Sequence, residues 1–181
     1  MYKRQAVLLF SALFVGISPK KIDFGKHKDG QNWQIINDGV MGGLSKGDAY
    51  LLDNSILFKG EVSLENNGGF ASLRAPMKRY DLGGHEIFKF RFKGTARKFA
   101  ILFETDRAFW RPNYKFYFTP NPNEWQTIEV PFTNFKTHRM GEPSGGYLTE
   151  SKLSEIIRYG VILYDKKAGE FELEMDFIAF E

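Results

Sequence analysis

The chain has 181 residues, long enough for one domain with a substantial core and short for two. Its 25 Lys plus Arg against 22 Asp plus Glu give a net charge of +3, too small a bias for counterion-driven binding, so nucleic acid is excluded as an expected partner. Cysteine is absent, which rules out disulfides, thiolate metal sites, a cysteine nucleophile and a lipoprotein anchor, while the 16% of aromatic residues favours strands and an all-β class.

In chain order, Lys3 and Arg4 precede the uncharged run Ala6 to Ile17 (AVLLFSALFVGI), followed by Pro19, Lys20 and Lys21. A basic start and a short apolar stretch have the shape of a secretory signal. Residues 1–20 are therefore expected to be a signal-peptide-like or anchor segment, with a buried first strand or helix as the alternative. The expected location is exported, periplasmic or envelope-associated, and cytoplasmic if residues 1–20 are not a signal. One domain is expected over residues 22–181.

Trp33 opens NWQII and reads as the start of a core strand. Short strands follow at Ser55 to Phe58, Glu61 to Leu64 and Ala71 to Ala75. The clearest is Ile87 to Lys93 (IFKFRFK), where Phe88, Phe90 and Phe92 alternate with Lys89, Arg91 and Lys93 at the strand period of two. The Phe side predicts a core face. The basic stripe, continued by Arg97 and Lys98, is either a solvated face or a surface for an acidic partner. Phe99 to Glu104, Tyr114 to Phe118, Thr127 to Phe132, with Trp125 packed at its start, Gly160 to Tyr164 and Phe171 to Phe177 complete about nine strands, spaced as in a sandwich or barrel. Thr149 to Ile157 predicts one short helix, capped by Thr149 or Ser151 and packed through Leu153, Ile156 and Ile157.

Few residues carry recognisable chemistry. His27, His85 and His138 are far apart, lack the i+2 or i+4 spacing of a metal pair and are expected in surface loops. Neither a G-x-S-x-G elbow nor a phosphate-cradling glycine pattern occurs, so an enzyme is not expected. Asp176 is the one acid considered for a structural calcium; otherwise no cofactor is expected. Trp110 and Arg111, between Phe109 and Asn113, have the character of a sugar platform: a flat ring beside hydrogen-bonding groups.

Two stretches stand out, Asn37 to Ser45 (NDGVMGGLS) and Glu65 to Arg74 (ENNGGFASLR). The glycine pairs Gly42-Gly43 and Gly68-Gly69 mark tight turns, where positive φ or a close approach is needed. Asp38 before Gly39, and Asn66 and Asn67 before Gly68, ordinarily bond their own turn backbone. Arg74, leaving the second loop, is a candidate to pair with Asp38 and lock the two stretches together.

With Trp33 and the Phe58 to Gly60 step, these stretches resemble the family of complex I intermediate-associated proteins, from about Ile22 to the C-terminus. The resemblance implies a jelly-roll β-sandwich of the galactose-binding-domain-like type. It also implies a non-catalytic interaction module that assists assembly of a protein or membrane complex, as the family's eukaryotic members do for respiratory complex I. It makes Trp33, Asn37, Asp38, Gly42, Gly43, Ser45, Asn66, Asn67, Gly68, Gly69 and Arg74 the family's mark. The alternative is a carbohydrate-binding protein of the cell envelope, with polysaccharide as partner and Trp110 and Arg111 as contacts.

Overall fold

The computed structural model describes residues 18–181. The segment 1–20 read as a signal or anchor falls outside them, its whole apolar run included, except for Ser18, Pro19 and Lys20. Among the described residues the chain forms thirteen strands and one α-helix. The strands are β1 (Lys20–Asp23), β2 (Gln34–Asn37), β3 (Lys46–Leu51), β4 (Ile56–Val62), β5 (Ala71–Arg74), β6 (Ile87–Gly94), β7 (Phe99–Glu104), β8 (Asn113–Phe118), β9 (Gln126–Pro131), β10 (Lys136–Arg139), β11 (Glu142–Tyr147), β12 (Arg158–Leu163) and β13 (Gly169–Phe180). The helix is α1 (Glu150–Leu153). One sheet runs β3-β4-β13-β6-β9, with β1 beside the C-terminal part of β13, and the other runs β11-β10-β8-β7-β12-β5-β2. Every pairing is antiparallel, giving the expected jelly-roll sandwich.

Thirteen strands replace about nine for a physical reason. β1 (KKID), β3 (KGDAYL), β10 (KTHR) and β11 (EPSGGY) carry few apolar side chains, and all of β11 is exposed. Neighbouring backbone rather than burial defines such strands, so no hydrophobic period announces them. Conversely, the two segments expected at Ser55 to Phe58 and Glu61 to Leu64 are one strand, β4, which Gly60 carries past the backbone of β3. A Cβ there would lie 2.0 Å from the Lys46 carbonyl oxygen.

Between the sheets lies a core of phenylalanines. Phe88, Phe90 and Phe92 of β6 are fully buried, as their alternation predicts. Phe88 meets Phe103 edge-on at 5.7 Å, and Phe90 meets Phe118 at 5.6 Å. Burying each such ring contributes about 1.5–3 kcal/mol, with edge-to-face geometry adding a little more. α1 is shorter than the expected helix, though Leu153 and Ile156 do pack inward. Thr149 precedes it with an extended backbone but makes no side-chain cap.

The outer face of the first sheet is a neutralised stripe. Lys89 pairs with Glu129 at 2.6 Å, Lys93 with Glu174 at 2.8 Å, and Arg91 with Asp176. Asp176, considered for calcium, thus faces a guanidinium. Trp125 does not pack as a core residue: its ring lies under Arg91 and Lys93, at 4.9 and 5.1 Å, because the edge strand β9 leaves it beside the stripe. Arg97 leaves the stripe for a two-pronged pair with Asp165, at 2.7 and 2.8 Å. Two histidines also differ from expectation. His138 lies on β10 and His85 follows Leu82, and both are buried, each with Nδ1 against a backbone carbonyl, which keeps them from the surface.

Candidate functional site

The two glycine stretches meet at one buried carboxylate. Asp38, only 1% exposed, begins a 3₁₀ turn (Asp38–Met41) after β2. Its Oδ1 accepts from the Ser45 backbone N–H at 3.0 Å. Its Oδ2 accepts from the Ser45 hydroxyl at 2.5 Å, the Gly69 N–H at 2.6 Å and the Phe70 N–H at 3.2 Å. Both oxygens are therefore used, one set of donors coming from each stretch. Burial by itself would raise this carboxyl, but the hydrogen bonds from Ser45, Gly69 and Phe70 together outweigh it and hold its pKa below the ordinary carboxylate value.

Each glycine has a separate part in this arrangement. A Cβ on Gly43 would sit 2.4 Å from the Asp38 carboxyl carbon, and one on Gly68 would sit 2.7 Å from Oδ2. Gly42 and Gly69 instead supply positive φ, +88° and +133°. Asn66 and Asn67 also take left-handed backbone, at φ 54° and 58°, as asparagine tolerates. As expected, Asp38 bonds the backbone of its own stretch, at the Ser45 N–H, and it reaches the second stretch as well. One expectation is corrected here: Arg74 does not reach Asp38. Aspartate's carboxylate closes the corner directly on backbone N–H groups, and Arg74 is drawn to another acid. Trp33, just before β2 and half-buried, packs edge-on against Phe24 and Tyr159 at 5.0 and 5.7 Å, at the border of the core rather than within a strand. Asn37 ends β2 with its side-chain oxygen buried and unpartnered among the described residues.

The loop fixed by Asp38 forms one wall of a groove on the outer face of the second sheet. The groove encloses about 530 Å³, with Asn67, Gly68 and Phe70 on that wall. Ala100, Leu102 and Ile162 form a second, small apolar cluster on this face, flanked by Phe70, Tyr117 and Tyr164, and of these Ile162, Phe70 and Tyr164 line the groove. Gly160 lies level with Leu102 and Arg74 across three strands; a Cβ there would lie 2.3 Å from the Leu73 carbonyl oxygen. Charges stand among these apolar groups. The Arg74 guanidinium donates to Glu104 at 2.9 Å, and Arg158 donates to the other oxygen of the same carboxylate at 2.5 Å. Lys115, 5% exposed, stands nearby with its ammonium 5.9 Å from the centre of the Tyr164 ring. Among the described residues no carboxylate pairs with it. Burial pushes its pKa down to about 8, Arg74 adds to the depression, and Glu104 and Glu142 oppose it. Burial likewise pulls Arg74 down, against the attraction of Glu104.

The loop 105–112 supplies the rim. Phe109 and Trp110 are 65% and 52% exposed, edge-on to each other at 5.3 Å, and Phe109 and Arg107 line the groove. Arg139 ties this loop to the turn between β10 and β11 by donating to the Trp110 carbonyl at 3.2 Å. Arg111 stays at the surface, 3.8 Å from Asp106. Of the residues singled out in the sequence, Asn67, Gly68 and Arg74 reach the groove. Glu104, Lys115, Arg158 and Gly160 were not singled out. A faint signal existed for Lys115, a lone cation inside the otherwise aromatic run YKFYF, and for Glu104, the one charge ending FAILFE. Among the described residues no group of three or more His, Asp or Glu is placed to hold a metal ion.

Comparison with known proteins adds family and fold. A model of the family described as complex I intermediate-associated protein 30 matches residues 22–175. The mouse (Mus musculus) mitochondrial complex I intermediate-associated protein 30 is 26% identical over 178 residues, covering 86% of this chain and 53% of its own length. The chain thus spans about half the length of that relative. Among solved structures, the family 11 carbohydrate-binding module of the cellulosomal cellulase Lic26A-Cel5E from Clostridium thermocellum superposes with a TM-score of 0.64 at 17% identity, covering 91% of this chain and 94% of the module. The agarase AgWH50C superposes over 89% of this chain and 24% of its own, with a TM-score of 0.54 at 11% identity. At such identities the likeness establishes a shared fold and nothing more.

Replacing Asp38 by Asn turns an acceptor into a donor facing buried N–H groups. The variant should lose about 2–4 kcal/mol, which a thermal melt would read as a drop of roughly 5–15 °C at pH 7 for a chain of this size. Because the folded pKa of Asp38 is depressed, its contribution is complete above the unfolded value near ~4 and fades as pH falls through the folded value. The gap between wild type and variant should therefore narrow in acid. Lys115 shares this direction of pH dependence, but there the charged form is the disfavoured one. Its depressed pKa means the unfolded chain binds the extra proton between pH about 8 and ~10.4, so stability rises with pH across that window. Lys115→Met should melt higher than wild type at pH 7, with the gain shrinking towards pH ~10; an unchanged gain would mean the ammonium is not strained.

Proposed function

Because the chain belongs to the complex I intermediate-associated protein 30 family, we propose that it is a non-catalytic interaction module that assists the assembly or stability of a protein complex. The observation that carries this reading is the family match itself, whose residues 22–175 include both glycine stretches and all the strands that form the groove. The disposition of the acids supports it. Asp38, the most prominent acid of the family's mark, is buried and has both oxygens engaged in holding loops, so it is not presented to a substrate. The module would grip a partner through the groove and its exposed aromatic rim. That partner is a protein or a membrane complex, with complex I the leading candidate given the relative's name. Carboxylates offset the basic stripe of the first sheet, so nucleic acid is not the partner this surface suits. No cofactor is needed for such a role.

Among the described residues no helix is long and apolar enough to cross a membrane. Residues 1–20, acting as a signal or anchor, would place the module at the cell envelope; without that activity it would work in the cytoplasm. A second reading, a carbohydrate-binding protein of the envelope, draws on Trp110, whose exposed ring stands beside Arg111.

Affinity purification of the tagged full-length chain, after mild crosslinking in the cells that make it, separates the two. Enrichment of respiratory complex I subunits in the membrane fraction is expected. Retention on an immobilised polysaccharide, lost in Trp110→Ala and accompanied by no enriched protein, would replace the first reading with the second.

A further inference from the structure

The groove has more buried positive charge than its own residues balance. Arg74, Arg158 and Lys115 stand on its floor, and Glu104 is the one carboxylate among them, already divided between the two guanidinium groups. Lys115 makes no ion pair or hydrogen bond among the described residues, although 95% of its surface is withdrawn from solvent. A buried ammonium without a counter-charge is costly, and the arrangement becomes favourable when an anion fills the space beside it. Arg107 adds a fourth cation at the edge of the groove.

The upper walls have the opposite character. Phe70, Ile162 and Tyr164 line the sides, and Phe109 and Met140 stand at the mouth, 65% and 57% exposed. Apolar side chains left this open around a cationic floor suit a ligand with two unlike ends. The enclosed volume of 530 Å³ falls within the ~300–1,000 Å³ usual for small-molecule sites. Asp38 holds the Phe70 wall in position through the Gly69 and Phe70 N–H groups, so the site is built before any ligand arrives.

We propose that this groove binds a small amphiphilic anion, with its carboxylate or phosphate head on Lys115 and Arg74 and its apolar body between Phe70, Tyr164 and Phe109. The head completes the charge of the floor, and the body covers the exposed rings at the mouth. A neutral sugar would satisfy neither end. The proposal rests on the groove alone and does not depend on the assembly role.

Calorimetric titration of the full chain with octanoate, octyl phosphate and octyl β-glucoside tests it, since the three share a tail and differ in the head. Octanoate or octyl phosphate should bind at least tenfold tighter than the glucoside. Lys115→Met should remove that preference, and Phe109→Ala should weaken both anions. In the wild type, the Lys115 side-chain resonance should shift on saturation with octanoate, a readout that requires no variant to fold. Equal binding of the three probes, an unmoved Lys115 resonance, or tighter binding of a short oligogalacturonate than of octanoate would overturn the proposal. A negative titration beside a positive co-purification of complex I subunits would end this inference and leave the assembly reading intact, and the reverse pair of results would do the opposite.

Discussion

One carboxylate buried at a loop corner governs much of this molecule. Asp38 has little solvent to stabilise its charge, and the Ser45 hydroxyl and three backbone N–H groups replace that solvent. Such hydrogen bonds to an ionised group are stronger than neutral ones, and those from the Ser45 hydroxyl and the Gly69 N–H are short. The arrangement demands glycine at two places for want of space, since Gly43 and Gly68 lie against the carboxylate itself, and favours it at Gly42 and Gly69 for backbone conformation. A pattern of two separated Gly-Gly steps and one aspartate is therefore a single three-dimensional unit. Its two halves come from loops beside β2 and β5, neighbouring strands at one edge of the second sheet.

That corner has consequences for the outer face of the sheet. With the loop before β5 pinned, Phe70 is held over strands whose outward side chains are themselves apolar, Ala100, Leu102 and Ile162. A sheet buried on one face would ordinarily present polar groups on the other. Here the loop, the rim at residues 105–112 and the turn between β10 and β11 partly cover that face, and the cations sit in the remaining gap. The groove's charge comes from Arg74, Glu104, Lys115 and Arg158, and its apolar walls from Phe70, Ile162 and Tyr164.

Much of the sandwich was legible in the sequence, wherever burial imposes a period. IFKFRFK and FELEMDF alternate, and the structure buries Phe88, Phe90, Phe92, Phe171, Leu173 and Met175 as they predict, whereas a register shift after Met175 leaves Phe177 only half-buried and turns Ile178 and Phe180 inward. The polar strands β1, β3, β10 and β11 left no such trace, because pairing to a neighbour rather than burial makes them strands. The glycine stretches were legible as turns and as a family mark. What joins them was not, since the choice between Arg74 and the backbone N–H groups as the partner of Asp38 depends on distances that no spacing encodes. The groove was the least legible part. Its charges arrive from β5, β7, β8 and β12, four strands distant in sequence, and only the antiparallel register sets Glu104 against Arg158. The continuous apolar runs FAILFE and GVILY carry a usable hint, for a strand without alternation is one covered on both faces.

Gly69 and Phe70 belong to no strand, yet both N–H groups should be held by the Asp38 carboxylate. Amide hydrogen exchange at these two residues is the most direct measure of that bond. The account predicts slow exchange at both in the wild type and much faster exchange in Asp38→Asn, with the amides of the β6–β13 pair unaffected. Exchange at Gly69 and Phe70 as fast as at Asn66 in the wild type would contradict it.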